Sequence, residues 1–182
     1  MKTHGMWLNI FTVIMMGTII GCSGASSKSP DVSDTIRKNL DSAGLKDVSV
    51  SQDRDKGVIT LGGHVGYEAD KSQAESLAKS SSGGQVVADE IAVTPPGIES
   101  EAKTVNSDLD KGIEKNLDAA LIQTRLNKAV KYDVKNGVVT LTGEVNTQTR
   151  RVLAESTAAR VPNVQQVVNE VEVKNQKATS SN

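Results

Sequence analysis

Two stretches of the sequence are clearly similar, and this internal repeat constrains the fold more than any other feature. The segment Gly57–Val65 (GVITLGGHV) aligns with Gly137–Val145 (GVVTLTGEV). The alignment continues without a gap to Ala74-Glu75-Ser76, which matches Ala154-Glu155-Ser156. A register kept over about 40 residues indicates a duplicated structural unit. The 182 residues therefore predict two small, similar domains.

Each copy shows the same order of predicted elements: helix, strand, strand, helix, strand. In the second copy Ser107 or Asp108 is a suitable cap for the first helix. The apolar positions of that helix follow helical spacing: Leu109, Ile113, Leu117, Ala120 and Leu121. In its second helix, Ala154 and Ala158 are predicted as small packing residues.

The two strands after the first helix form a predicted hairpin. Val130, Tyr132 and Val134 alternate with charged residues, which is typical of a half-exposed strand. Asn136-Gly137 then predicts a two-residue turn, since both residues accept a positive φ.

Four glycines recur at matching positions of the two hairpins. Gly57 and Gly137 begin the returning segments, whereas Gly63 and Gly143 lie on their apolar face. A glycine on that face predicts that a helix backbone approaches the sheet closely. All four are interpreted as structural, because a phosphate-binding loop would lie between a strand and a helix rather than in a hairpin.

The duplicated pattern predicts an α+β fold. It consists of two small αββαβ domains, each with a three-stranded mixed sheet and two helices on one face. The predicted segments are a signal peptide at 1–21, a flexible tether at 22–30, the first domain at 31–94, a linker at 95–107, the second domain at 108–174 and a disordered tail at 175–182.

The amino terminus is typical of a secretory signal. The apolar run Met6–Ile20 has about 15 residues, fewer than the roughly 20 that span a bilayer. It ends in Ile19-Ile20-Gly21-Cys22, which resembles the lipobox of bacterial lipoproteins. The resemblance implies that Cys22 becomes the acylated first residue of the mature chain, in contact with membrane lipid. Ser23, in place of an aspartate, implies sorting to the outer membrane.

The repeated segments resemble the signature of BON domains. Gly137–Val145 carries the pattern, and Gly57–Val65 carries it with His64 in place of an acidic residue. Two copies behind a lipobox resemble the dual-BON outer-membrane lipoproteins of Gram-negative bacteria. This resemblance implies a non-enzymatic, periplasm-facing module for envelope integrity and anionic phospholipid binding. It also implies lipid contact through the first helix of the second domain, here Asp108–Asn127.

Charge favours the second copy as the part that faces lipid. The formal net charge is −1 overall, which does not support nucleic-acid binding. The first copy is net acidic and the second is slightly basic. Basic residues near an anionic surface are attracted to it, and the candidates are Lys111, Lys115, Arg125, Arg150 and Arg151. The alternative is a periplasmic adaptor, whose BON domains bind each other or an envelope protein.

The remaining chemistry of the sequence argues against catalysis. The two histidines are His4, in the signal, and His64, which is predicted to face solvent. Cys22 is the single cysteine and is expected to carry lipid. Aromatic residues make up 2% of the chain, so stacking on a base or sugar is a poor mechanism. We therefore expect no enzyme activity, no cofactor and no metal site.

Overall fold

A computed structural model describes residues 28–174 of the chain. The predicted signal peptide, Cys22 and the predicted tail lie outside these residues. The first domain consists of α1 (Ser33–Ser42), β1 (Val48–Asp53), β2 (Val58–Val65), α2 (Glu68–Ser81), β3 (Val86–Asp89) and β4 (Ala92–Val93). The second consists of α3 (Glu99–Gln123), β5 (Val130–Lys135), β6 (Val138–Val145), α4 (Gln148–Ala159), β7 (Gln166–Asn169) and β8 (Glu172–Val173). The predicted α+β class and the duplicated order of elements are confirmed.

Each described sheet has four strands, because the single last strand that the sequence predicts is divided in two. The hairpin β1–β2 is antiparallel, and β3 and β4 both run parallel to β2. The register of β3 and β4 against β2 is the same, so together they form one strand that is interrupted at Glu90 and Ile91. The second domain repeats this arrangement with β5, β6, β7 and β8.

Gly63 and Gly143 lie beside the interruptions in the two sheets. Their φ angles are +88° and +115°, which L side chains rarely adopt. A Cβ atom on Gly63 would lie 2.0 Å from the carbonyl oxygen of Asp47, and one on Gly143 would lie 2.2 Å from that of Ala129. The predicted approach of a helix backbone is therefore wrong, because the close neighbour is the chain just before the first strand.

Both helices of each domain pack on one face of its sheet. Fully buried aliphatic side chains fill the first core and include Ile36, Leu40, Ile59, Leu61 and Ile91. Ala154 and Ala158 are fully buried, as predicted, and Ala74 and Ala78 match them in the first domain. These small side chains let α2 and α4 lie close to their sheets.

The helix α3 is longer than the sequence predicts. It begins at Glu99, so most of the predicted linker 95–107 is helical and the caps at Ser107 or Asp108 are wrong. Glu99 Oε1 accepts a hydrogen bond from the backbone N–H of Gly97 at 2.9 Å. The acidic first turn also interacts favourably with the helix dipole. Leu109, predicted on the buried stripe, is 45% exposed because the domain core begins at Ile113.

Candidate functional site

The structure brings together two of the five basic residues predicted to bind phospholipid. Arg125 follows α3 with a φ of +56°, and Arg150 Nη2 donates to its carbonyl oxygen at 2.8 Å. Lys111 lies about 20 Å away along the helix axis, and its Nζ is 3.2 Å from Asp108 Oδ1. Lys115 is exposed on α3 between these two positions. The five residues therefore do not form one compact patch.

Arg151 has a structural contact that the sequence does not predict. Its Nε donates to the carbonyl oxygen of Val171 at 2.9 Å, and its Nη2 donates to that of Asn169 at 2.8 Å. These carbonyls lie at the interruption between β7 and β8. Arg151 therefore donates hydrogen bonds to two carbonyl oxygens that lie where the strand is interrupted, and its guanidinium is occupied by these bonds.

Two exposed aliphatic side chains lie within three residues of Arg125 and Arg150 along the chain. Ile122, in the last turn of α3, is 53% exposed, and Val152, early in α4, is 52% exposed. We call Ile122, Arg125, Arg150 and Val152 the basic–apolar surface. Helical periodicity indicates which residues are buried, but it does not show that these four share one end of the domain.

The two domains pack against each other through the sheet faces opposite their helices. Val58 and Ala88 of the first domain form one buried cluster with Val138 and Val168 of the second. All four are at most 7% exposed. The sequence does not reveal this contact, because each residue alternates with core residues along its strand, a pattern typical of solvent-facing positions.

Polar contacts surround this apolar cluster. Gln166 Oε1 accepts from the Asp89 backbone N–H at 3.0 Å, and Gln166 Nε2 donates to the Val87 carbonyl oxygen at 2.7 Å. The amide of Gln166 thus pairs with the free edge of β3 as a neighbouring strand would. The Lys56–Glu170 ion pair and the Lys135–Glu90 ion pair, at 3.0 Å, also join the two domains.

A cleft of about 360 Å³ lies between the two domains. Its lining includes Lys71 and Asp89 from the first domain and Gln165 and Gln166 from the second. Lys71 and Asp89 are both buried. Burial raises the pKa of the Asp89 carboxyl, and the charge of Lys71 acts in the opposite direction. The position of Asp89 corresponds to Asn169 in the second domain, where a neutral side chain replaces the carboxyl.

Residues 28–30, predicted as the end of a flexible tether, are instead held against the first hairpin. The Ser29 backbone N–H donates to the Arg54 carbonyl oxygen at 2.8 Å, and Arg54 Nε donates back to the Ser29 carbonyl oxygen at 2.8 Å. Gln52 Nε2 donates to the Pro30 carbonyl oxygen at 2.7 Å, and Lys28 Nζ lies 3.2 Å from Asp55 Oδ1. We call Lys28–Pro30 the N-terminal strap. This part of the tether prediction is corrected.

Within 28–174 no group of three or more His, Cys, Asp or Glu side chains is arranged to hold a metal ion. His64 is exposed, as predicted. In the same range no helix combines the length and apolar character needed to cross a bilayer.

Comparison with known proteins finds one family that matches both domains. The family described as "BON domain" matches residues 29–95 and 109–175. The chain is 28% identical to osmotically-inducible protein Y of Escherichia coli (strain K12) over 137 residues. That alignment covers 74% of this chain and 67% of the relative.

Two solved structures of CdsD, a structural protein of the type III secretion system of Chlamydia trachomatis, also align. The first is 16% identical, with a TM-score of 0.35, and the alignment covers 76% of this chain and 90% of that one. The second, the C-terminal domain, is 16% identical, with a TM-score of 0.34, and covers 81% and 99%. At these scores the alignments carry no functional argument.

Proposed function

Because the chain belongs to the BON-domain family, we propose that it is a non-catalytic envelope protein that acts in osmotic or envelope stress. The observation that carries the proposal is the pair of matched BON domains, together with the similarity to a protein named for its osmotic induction. The lipobox ending at Cys22 supports a lipid anchor in the outer membrane, with both domains in the periplasm.

The finer part of the proposal is that the second domain binds anionic phospholipid through the basic–apolar surface. Arg125 and Arg150 supply charge for lipid phosphates, and Ile122 and Val152 supply aliphatic area for the boundary of the bilayer. The pairing of exposed apolar and basic side chains is typical of peripheral membrane contacts. Lys111 and Lys115 are less suited, because acidic residues share their stretch of α3.

Vesicle flotation of residues 23–182, which lack the anchor, tests this lipid contact. We expect flotation with phosphatidylglycerol or cardiolipin vesicles at low salt, and none with phosphatidylcholine alone. Each basic residue near an anionic surface contributes about 1 kcal/mol. The double variant Arg125→Ala/Arg150→Ala should therefore bind about 30-fold more weakly.

The matched control is Lys111→Ala/Lys115→Ala, which removes the same charge from the other part of α3. This control should keep most of the binding if the basic–apolar surface is the contact. Equal losses in the two double variants would contradict the assignment to Arg125 and Arg150. Failure of the unsubstituted chain to float would contradict lipid binding by this domain altogether.

A second candidate function is that of a periplasmic adaptor for an envelope protein. Ile98, Val105 and Leu109 are exposed and recur at helical spacing along the start of α3, where they form an apolar stripe. A photo-crosslinker at Val105 in intact cells tests this candidate. One discrete protein adduct would support an adaptor, and adducts with lipid alone would contradict it.

A further inference from the structure

We propose that the N-terminal strap gives the protein a fixed membrane-facing end, made of the first hairpin turn and the basic–apolar surface. The partner at this end is the phospholipid surface in which the acylated Cys22 is embedded. This inference rests on the lipid anchor of the proposed function. It adds which end of the two-domain body faces that surface.

The strap shortens the distance over which the body can move away from its anchor. Lys28 is six residues after Cys22, so an extended chain between them reaches at most about 22 Å. Because Ser29 and Pro30 are hydrogen-bonded to the first hairpin, this distance is measured from the turn 54–57. A tether that was free as far as residue 30 would have a longer reach and no fixed point of exit.

Contacts between the domains show which end of the second domain lies beside this turn. Lys56, in the turn, pairs with Glu170, just after β7, and the charge of Glu172 in β8 also acts on it. Asn136, in the turn of the second hairpin, donates to the carbonyl oxygen of Glu90, just after β3. Each hairpin turn therefore lies beside the end of the other domain's sheet that is farthest from that domain's own hairpin turn. It follows that β3 and β7 run in opposite directions.

The same contacts connect the exit of the strap with the basic–apolar surface. Glu172 of β8 lies opposite Glu144 of β6 in the parallel strand pairing. The Glu144 backbone N–H donates to the Ala129 carbonyl oxygen at 3.1 Å. Ala129 lies four residues after Arg125. Arg125 is thus at the end of the second domain that lies on the side of the first hairpin turn.

The Lys111 region lies at the opposite end of the protein. Asp110, next to Lys111, accepts hydrogen bonds from the backbone N–H groups of Asn136 and Gly137 in the second hairpin turn, at 2.8 and 2.9 Å. The helix α3 is about 37 Å long, which exceeds the reach of the anchor.

Charge at the strap is balanced, so attraction to lipid is not what fixes the orientation. Lys28 pairs with Asp55, Lys56 pairs with Glu170, and Arg54 lies 3.9 Å from Asp31. Because each cation is matched by a carboxylate, these pairs attract an anionic surface only weakly. The orientation set by the strap should therefore persist at high salt, whereas phospholipid binding by Arg125 and Arg150 should weaken.

A pair of equivalent lysines provides the reporters. Lys46 lies two residues before β1, Lys128 lies two residues before β5, and both are exposed. Lys128 belongs to the proposed membrane-facing end and Lys46 to the opposite end. Cys22 is the only cysteine of the sequence, and the proposed lipid anchor would block its thiol. Lys46→Cys or Lys128→Cys then gives one labelling site in the full lipidated protein.

The experiment measures nitroxide relaxation caused by a nickel-chelating lipid in the vesicle that holds the anchored protein. We expect a several-fold larger enhancement at residue 128 than at residue 46, at low and high salt alike. The variant Gln52→Ala/Arg54→Ala removes strap hydrogen bonds and should bring the two enhancements closer together. Its circular dichroism spectrum should match that of the unsubstituted protein.

Each result supports or overturns the proposal. Equal enhancements at the two sites, or a larger one at residue 46, would overturn the proposed orientation while leaving the anchor intact. An unchanged ratio in Gln52→Ala/Arg54→Ala would overturn the role of the strap. Mass spectrometry of the amino-terminal peptide is measured on the same samples, and an unmodified Cys22 would overturn the anchor and the orientation together.

Discussion

Gln166 offers a direct way to test how the two domains are held together. Its side-chain amide donates to the Val87 carbonyl oxygen and accepts from the Asp89 backbone N–H, which closes the free edge of β3. Both bonds are partly buried. The corresponding residue in the first domain is Val86, which has no amide, so β7 does not receive the same pair of bonds from that side chain. The substitution Gln166→Ala therefore removes one defined contact from the interface.

The expected effect follows from those two hydrogen bonds. Each contributes a net of about 1 kcal/mol, so the free energy that closes the β3 edge should fall by about 2 kcal/mol. A change of that size corresponds to an equilibrium constant for opening that is about 30-fold larger. The backbone N–H of Asp89 should lose protection from hydrogen exchange by this factor. The backbone N–H of Ala88 points toward β2 and should retain protection set by the sheet itself.

Amide hydrogen exchange measured by NMR distinguishes this effect from a general loss of stability. The matched control is Gln123→Ala, because Gln123 is an exposed glutamine at the end of α3 and its loss should change stability by less than about 0.5 kcal/mol. Unchanged exchange at Asp89 in Gln166→Ala would refute the edge-closing role. An equal increase at Asp89 and Ala88 would show that the side chain contributes only to global stability.

Two further predictions concern single residues. Gly143→Ala should destabilise the second domain by more than about 2 kcal/mol in urea denaturation, because its Cβ would lie 2.2 Å from the Ala129 carbonyl oxygen at a φ of +115°. The control Gly112→Ala, in open space on α3, should instead stabilise the domain by up to about 1 kcal/mol. Equal effects of the two substitutions would contradict the steric argument. For Asp89, burial raises the pKa, so the folded chain binds this proton more tightly than the unfolded chain and stability rises as the pH falls through the raised pKa. Asp89→Asn should therefore stabilise the fold at pH 7 and flatten the dependence of stability on pH above the ordinary carboxyl value of 3.8. A loss of stability at pH 7 would contradict this expectation and would show that the buried Lys71 ammonium needs the carboxylate as its partner.

The repeat predicts the architecture of each domain because local signals agree there with tertiary packing. Asn136 and Gly137 have φ angles of +47° and +79°, which is the hairpin turn that their residue types predict. The burial of Val130 and Val134 likewise follows from simple alternation. The interruption of the last strand is not visible in this way, since Glu90 and Ile91 carry no turn signal and the break follows from the backbone at Gly63.

The arrangement of the domains depends on residues whose sequence context is ambiguous. Ala88 and Val168 alternate with core residues, and such positions predict solvent exposure unless a second sheet covers them. Gln166 is a polar residue at the beginning of a strand, and nothing in its neighbourhood indicates a partner in the other domain. The basic candidates show the same limit, because Arg125 and Arg150 are adjacent in space while Arg151 is committed to the carbonyls of Asn169 and Val171.

The continuous helix α3 makes the connection between the domains sensitive to its exact number of residues. Each residue of a helix adds about 1.5 Å of rise and about 100° of rotation. One residue inserted between Glu99 and Leu109 would turn the second domain by that angle and separate Gln166 from β3. Seven inserted residues would nearly restore the rotation, but they would move the domain by about 10 Å. Length variation in this segment is therefore constrained by helical phase, unlike variation in a flexible linker, where each added residue changes only the reach.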